Sequence, residues 1–133
     1  MALSLRLALI SALVPPGARV CDIGTDHGYL PIELIKRGDI KSVIATDIRK
    51  MPLASAEKNI KAAGVGGITL RLCDGLEGIA QNEVDTVITA GMGGEVIASI
   101  LARSPLPTAS PAPLLILQPT TSPEFLRRFL CVN

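Results

Sequence analysis

The sequence predicts an α/β domain built on a doubly wound, mostly parallel β-sheet of about five strands. Short β-branched runs alternate with segments of helical period, and strands joined by helices form right-handed crossovers in a parallel sheet. The chain has 133 residues, of which 48% are hydrophobic and 19% charged, so one compact domain with a rich core is expected. It holds one Tyr, two Phe and no Trp, so aliphatic residues must fill the core, as in buried parallel sheets.

The elements follow from hydrophobic period and from the positions of glycine and proline. An amphipathic helix within residues 1–13 covers the domain, because Arg6 interrupts its apolar run and Pro15-Pro16 ends it. This run is too short for a membrane span, which needs ~20 residues. The expected strands are residues 19–23, 42–47, 68–72, 84–90 and 114–118, and the expected helices are residues 29–37, 52–63, 95–103 and a last one from about Pro123.

Composition excludes several classes of protein. The formal net charge of +1 is far below that of a protein wrapped around nucleic-acid backbones, and three aromatic rings are too few for a base-stacking platform. Cys21, Cys73 and Cys131 show no C-x-x-C spacing, so we expect no metal site and interpret them as reduced packing residues of a cytoplasmic protein. Residues 104–113, which hold four prolines, are expected to form a plain surface loop.

Acidic residues stand at the ends of three consecutive predicted strands. Asp22 lies near the end of the first strand, Asp47 ends the second, and Asp74-Gly75 follows the third. Ligands of such sheets bind beyond the carboxyl ends of the strands, so these acids should converge. Asp47 is spaced to accept hydrogen bonds from ribose hydroxyls, and Asp74 from an adenine amino group. Each acid alone is also typical of an ordinary turn or helix cap, but together they favour a nucleoside-type ligand.

The turn after the first strand, residues 24–28, reads GTDHG. Its glycines let a ligand approach the backbone. A dinucleotide fingerprint would have glycine at position 26, whereas the Asp26 carboxylate repels a pyrophosphate and cancels the attraction of the helix N-terminus. The turn therefore suits a ligand without phosphates, such as the sulfonium compound S-adenosylmethionine (SAM). His27 alone is weak evidence, since a lone histidine in a turn is more often structural.

The predicted fourth strand ends in residues 90–94, AGMGG, where almost no side chain stands except Met92. Such a turn can admit a flat base or a transferring methyl group. The alternative, that the glycines only let a helix pack closely on the strand, is the less favoured of the two and stays open. Gln118 at the end of the fifth strand adds a polar group to the same edge.

These motifs together resemble the bacterial SAM-dependent tRNA (adenine-N1)-methyltransferases that act on adenine 22 of tRNA, the TrmK family. The chain resembles the N-terminal part of that family. It departs from the family at Cys73, where glycine is usual, and at Thr120, where asparagine usually follows Gln-Pro. The similar segments are Arg6-Leu7, Asp22 to Pro31 (DIGTDHGYLP), Asp47 with Pro52-Leu53 and Ala56, Asp74-Gly75-Leu76, Ala90 to Gly94 (AGMGG) and Leu115 to Pro119 (LILQP).

The resemblance implies a Rossmann-like class I methyltransferase core, truncated before its last two strands and without the family's coiled-coil domain. Residues 1–133 would then form a SAM-binding catalytic domain. Asp26 is implied as the catalytic acid nearest the reacting base. The implied cofactor-binding residues are Asp22, Gly24, Thr25, His27, Gly28, Tyr29, Leu30, Asp47, Ile48, Asp74, Gly75, Ala90, Gly91 and Met92.

The function implied is methyl transfer from SAM to N1 of adenine 22 in tRNA. The basic residues form only small groups, such as Arg49-Lys50 and Arg127-Arg128, so we expect weak and salt-sensitive binding of tRNA. Two alternatives stay open at this point: a SAM-binding module without turnover, and a nicotinamide-dependent oxidoreductase, which Asp26 disfavours. The sequence leaves open which tRNAs are used and whether the chain forms oligomers.

Overall fold

The computed structural model describes residues 4–132, in which helices and strands alternate as predicted. The first three residues of the predicted first helix lie outside this range. The elements are α1 Leu5–Leu13, β1 Arg19–Ile23, α2 Tyr29–Lys36, β2 Ser42–Asp47, α3 Lys50–Ala63, β3 Ile68–Leu72, β4 Thr86–Met92, α4 Gly94–Ala102, a 3-10 turn Leu106–Thr108, β5 Leu114–Pro119 and α5 Pro123–Val132.

The five strands form one parallel sheet in the order β3-β2-β1-β4-β5. This confirms the predicted α/β fold with a five-stranded parallel sheet. The chain runs outward from β1 through β2 to β3 and then returns to β4 on the other side of β1. The crevice between the carboxyl ends of β1 and β4 is therefore the switch point at which such sheets bind ligands.

Helices cover both faces of the sheet, and alternate residues of each central strand point to opposite cores. On one face, Val20 and Ile88 pack with residues of α1 and α2. On the other face, Cys21 and Val87 pack with residues of α4 and α5. β1 is buried on both sides, and its residues other than Arg19 and Asp22 are apolar on both faces, as is typical of a parallel sheet.

Several boundaries differ from the prediction by one or two residues, and two of these differences have a local reason. β4 runs on to Met92, because after an irregularity beyond Ala90 it still pairs with Pro119 of β5. α3 begins at Lys50, ahead of Pro52, because proline is tolerated in the first turn of a helix.

The predicted plain loop 104–113 contains a 3-10 turn whose Leu106 is buried in the core, so the prediction was incomplete there. Leu106 fixes the loop to the domain. The interpretation of the cysteines as packing residues holds for Cys21 but is wrong for Cys131, which is exposed on α5. α5 presents one side to the core through Leu126 and the other to solvent.

The first helix covers one face of the sheet, as expected from its pattern. The Ser4 hydroxyl accepts a hydrogen bond from the backbone N–H of Leu7 and so caps the helix. Ile10 and Ser11 are buried, while Leu5 and Leu9 face solvent. Within residues 4–132, no helix has both the length and the apolar character that crossing a membrane requires.

The joint between β4 and α4 is packed against the chain that follows β5. The Gly94 N–H donates to the carbonyl of Thr121 at 2.7 Å, and the Thr120 N–H donates to the carbonyl of Met92 at 2.8 Å. A Cβ on Gly94 would overlap the backbone carbonyl of Ser122. The start of α4 is thus fixed by backbone on both sides.

We predict that Gly94→Ala lowers the free energy of unfolding by about 1–3 kcal/mol, because backbone atoms must move to admit the methyl group. Gly66→Ala is the matched control, since a Cβ there meets no atom within 4 Å. Urea denaturation of both variants measures the difference. Equal stability of the two variants would contradict the packing described at this joint.

Candidate functional site

A cavity of 420 Å³ lies at the predicted edge of the sheet, beyond the carboxyl ends of β1, β2 and β4. It collects most of the residues that the sequence singled out. Its lining is Arg6, Leu7, Asp22, Gly24, Thr25, Asp26, His27, Tyr29, Leu30, Asp47, Arg49, Ala90, Gly91, Met92 and Thr120.

The turn between β1 and α2 curls around one side of this cavity. Gly24, Asp26 and Gly28 have φ values of 69°, 56° and 77°, in the left-handed region. Glycine occupies this region without strain, and aspartate is one of the few other residues that tolerate it. The turn is held at its start, where the Thr25 N–H donates to the carbonyl of Thr46 at 2.9 Å.

Asp47 joins this turn to the next one. Its carboxylate is buried, with 5% of the side chain exposed. One oxygen accepts a hydrogen bond from the Asp26 N–H at 3.4 Å, and the other accepts one from the Arg49 N–H at 3.1 Å. A carboxylate has about four acceptor positions, so Asp47 can still accept hydrogen bonds from a ligand.

Asp22 lies at the floor of the cavity and is the most deeply buried of its acids. Burial raises its pKa from 3.8 to about 7, and the negative charge of Asp47 adds to the rise. A carboxyl group in this position is therefore partly protonated near neutral pH. A cation bound next to it would favour the ionised form.

Asp26 and His27 stand at the mouth of the cavity. The Asp26 side chain is 61% exposed and lies 3.9 Å from the His27 ring nitrogen Nε2. The other ring nitrogen of His27, Nδ1, lies 2.8 Å from the Ser55 hydroxyl on α3, and the His27 carbonyl accepts a hydrogen bond from Asn59. α3 thus fixes His27 and leaves the Asp26 carboxylate free to meet a second molecule.

The glycine-rich segment 90–94 does both things that its sequence allows: one part lines the cavity and the other packs closely against backbone. Ala90, Gly91 and Met92 line the cavity, and the Met92 methyl group lies so close to Gly24 that a Cβ there would overlap it. Gly94, in contrast, packs against the backbone of the chain after β5. The first part of the segment forms a wall of the site and the last part carries α4.

Four of the residues predicted to bind a cofactor do not line this cavity. Both oxygens of Asp74 are bound by Arg103, which directly follows α4, at 3.0 and 3.2 Å, and Glu77 shares the same guanidinium. Gly28 and Gly75 are buried, and a Cβ on either would crowd a neighbouring helix. Ile48 is 62% exposed. The residues that lie outside the lining are Gly28, Ile48, Asp74 and Gly75.

Some lining residues were not predicted as site residues from the sequence. Arg6 and Leu7 reach the cavity from α1, which the sequence indicated only as a covering helix. Arg49 lies next to Asp47, with Nε 3.7 Å from the carboxylate. Thr120 stands on the rim at the family position occupied by asparagine. One feature of the sequence indicated these residues: each lies in, or next to, a segment that resembles the family.

The part of the chain described, residues 4–132, contains no group of three or more His, Cys, Asp or Glu side chains that could hold a metal ion. Asp22, Asp26 and Asp47 lie at the ends of β1 and β2, while Arg6 lies over the end of β4.

We predict a pH-dependent gain in stability for Asp22→Asn. The folded protein binds the Asp22 proton more tightly than the unfolded chain does, so wild-type stability falls as pH rises from about 4 to about 7. The asparagine variant lacks this loss. Its free energy of unfolding relative to wild type should rise by roughly 1–4 kcal/mol between pH 4 and pH 8.

Urea denaturation at several pH values measures this difference. The exposed Glu57→Gln variant controls for the loss of one negative charge. A constant difference between Asp22→Asn and wild type over the whole range would show that Asp22 is not the buried acid described.

Comparison with known proteins supports the resemblance seen in the motifs. Residues 3–133 match the family described as Methyltransferase domain. The chain is 36% identical over 129 residues to the tRNA (adenine(22)-N(1))-methyltransferase of Bacillus subtilis strain 168, covering 96% of this chain and 54% of that protein. The chain thus spans about half the length of this curated relative.

Two solved structures extend the comparison. A Streptococcus pneumoniae protein in complex with S-adenosyl-L-methionine superposes with a TM-score of 0.88 at 41% identity, covering 97% of this chain and 61% of that one. TrmK of M. capricolum, in complex with S-adenosyl-homocysteine, superposes with a TM-score of 0.85 at 34% identity, covering 97% and 57%. The predicted resemblance to the TrmK proteins is confirmed, and the chain belongs to the methyltransferase domain family.

Proposed function

We propose that residues 1–133 form the SAM-binding catalytic domain of a cytoplasmic tRNA methyltransferase that modifies N1 of adenine 22. The observation that carries this proposal is the cavity at the switch point of the sheet, where Gly24, Asp47 and Gly91 meet. The relatives that share this fold are named for that reaction or were solved with SAM or its product.

The cavity residues fit SAM in size and charge. A volume of 420 Å³ falls in the usual range for ligand sites, ~300–1,000 Å³. Asp22 and Asp47 place negative charge where the cationic sulfonium and ammonium groups of SAM need it. The buried Asp47 carboxylate has acceptor positions left for ribose hydroxyls, and the Asp26 carboxylate would repel the phosphates of a dinucleotide.

When bound, SAM supplies an electrophilic methyl group. Adenine N1 already carries a lone pair, so the residues of the site need not remove a proton before attack. Their main task is to hold the two reactants in line. Gly24, Gly91 and the thioether of Met92 leave a low wall between the turns after β1 and β4, and we place the adenine of tRNA there.

Asp26 is the acid placed to act on that adenine. Positive charge develops on the ring during methyl transfer, and a carboxylate at the cavity mouth stabilises it electrostatically. The same carboxylate can accept a proton from the exocyclic amine. The 61% exposure of its side chain gives the substrate access to it, and the hydrogen bond from the Asp26 N–H to Asp47 holds its backbone.

Weak binding of tRNA is a part of the proposal. The net charge is +1, and exposed cations near the cavity mouth, such as Arg49 and Lys50, are few. A protein that makes six or more phosphate contacts loses about 10³-fold or more in affinity between 50 and 200 mM salt. This chain has few cations with which to make so many contacts, so we expect it alone to bind tRNA weakly and in a salt-sensitive manner.

The proposed function predicts that the chain transfers labelled methyl groups from SAM to unmodified tRNA, and that nucleoside analysis finds N1-methyladenosine at position 22. A tRNA with guanine at position 22 is the matched control and should stay unlabelled. Methylation at N6 or at a ring carbon would contradict the assignment. Binding of SAM by calorimetry without any transfer would favour the binding module instead.

We predict that Asp26→Asn lowers the rate of methyl transfer by about 10²-fold or more and changes SAM affinity little. Asparagine is the suitable substitution because it keeps the shape of the side chain and tolerates the left-handed backbone at φ 56°. The variant therefore tests charge rather than folding. Single-turnover kinetics with saturating SAM, together with calorimetric SAM binding, give the two quantities.

Glu57→Gln on α3 is the control for this prediction as well. Its carboxylate pairs with Lys61 on the outer surface of α3. It should transfer methyl groups at the wild-type rate. If Asp26→Asn did the same, Asp26 would not be catalytic, and the mechanism would rest on alignment alone.

A further inference from the structure

The direction of the Asp26 carboxylate is set by few contacts within residues 4–132. Its backbone N–H donates to Asp47, but no hydrogen bond from the described residues reaches its side-chain oxygens. Its one ionic neighbour in that range is the ring nitrogen Nε2 of His27, at 3.9 Å. An aspartate side chain that is 61% exposed can take more than one rotamer. The direction of this carboxylate therefore depends on the His27 ring.

The His27 ring is in turn held by α3. Its nitrogen Nδ1 lies 2.8 Å from the hydroxyl oxygen of Ser55, and the ring packs on Tyr29 with 5.3 Å between the ring centroids. Asn59, one helical turn after Ser55, donates a hydrogen bond of 2.9 Å to the His27 carbonyl. The side chain and the backbone of His27 are thus both bound by the same side of α3.

The position of Ser55 is set by backbone packing rather than by its own hydrogen bond. A Cβ on Gly28, in the turn that carries His27, would lie 3.1 Å from the Cβ of Ala56, the residue next to Ser55. Ala56 is buried, and Ser55 and Asn59 are half-buried. The helix and the turn are therefore in close contact at this point, and Ser55 is a fixed support for the ring.

The partners of the two ring nitrogens indicate which of them carries the proton. An ionised carboxylate only accepts hydrogen bonds, so the Asp26 side favours a proton on Nε2 of the neutral ring. Nδ1 is then an acceptor, and we assign the Ser55 hydroxyl, which can donate or accept, as its donor. At 3.9 Å the contact between the ring and Asp26 is electrostatic rather than a hydrogen bond. Ser55, the ring and Asp26 form one directed row of polar groups.

We propose that Ser55 is a positioning residue for methyl transfer. Its hydroxyl donates to Nδ1 of His27 and turns Nε2–H towards Asp26, which directs the Asp26 carboxylate to the cavity mouth where the target base arrives. Ser55 lies outside the cavity lining and acts through these two residues. The effect on catalysis rests on the proposed function, whereas the orientation of the ring can be measured without tRNA.

The ring is directly observable, because the chain has one histidine. Nitrogen NMR of an isotope-labelled chain, at a pH at which the ring is neutral, distinguishes the two tautomers. The wild type should show the Nε2–H tautomer alone, and Ser55→Ala should show a mixture of both. The Nδ1–H tautomer in the wild type, or equal tautomer populations in the two proteins, would overturn the proposal.

Single-turnover kinetics with saturating SAM measure the effect on catalysis. Ser55→Ala should lower the rate of methyl transfer by ~3–10-fold, the effect expected of one hydrogen bond, and change SAM affinity little. Ser55→Thr keeps the hydroxyl and should retain most of the rate. Ser99→Ala is the matched control, an exposed serine of α4, and should react at the wild-type rate. Thermal melting of each variant reports on folding.

A double variant separates positioning from a general structural effect. In the Asp26→Asn chain, the further change Ser55→Ala should lower the rate by less than ~2-fold, because the carboxylate through which Ser55 acts is gone. An equal loss in both backgrounds, or no loss in the wild-type background, would refute the role of Ser55. A wild-type chain that transferred no methyl group to tRNA would refute the proposed function and this role with it, while NMR would still show whether Ser55 orients the ring.

Discussion

The Asp47 carboxylate joins the two turns that form the acidic side of the cavity. It accepts a backbone N–H from the turn after β1, at Asp26, and another from the turn after β2, at Arg49. Both bonds are charge-assisted, and the carboxylate is nearly inaccessible to water, which makes each bond stronger than a neutral one at the surface. Without this carboxylate, the left-handed backbone of Asp26 would lose the contact that holds it in place.

This arrangement disfavours the ionised form of Asp22. Two carboxyl groups at the ends of adjacent strands cannot both be buried and charged without raising the pKa of one of them. Asp47 has hydrogen-bond donors on both oxygens, whereas burial and the Asp47 charge raise the pKa of Asp22 to about 7. A cationic ligand relieves this repulsion. The apo site is therefore less stable than its packing alone implies, as is common for functional sites.

Local pattern predicted the framework well, because each central strand is short, apolar and bounded by glycine or acid. β1, β2 and β3 have the predicted bounds. The sequence also placed Asp22 and Asp47 in one site, since parallel strands end at one edge. It could not place Asp74, because the residue that binds it, Arg103, comes 29 positions later, just after α4. Arg6 was missed as a site residue for the same reason, as its partner Gln118 lies 112 positions away.

The position of the acids also indicates where in the cavity a negatively charged group is disfavoured. The N-terminus of α2 points into a glycine-bearing turn, where many sheets of this kind bind a phosphate. Here Asp26 lies just before that N-terminus, and its carboxylate offsets the partial positive charge. Gly91, near the end of β4, lies against the guanidinium of Arg6. Within residues 4–132 this guanidinium has no carboxylate partner. A zwitterion without phosphates matches this distribution of charge, and a dinucleotide does not.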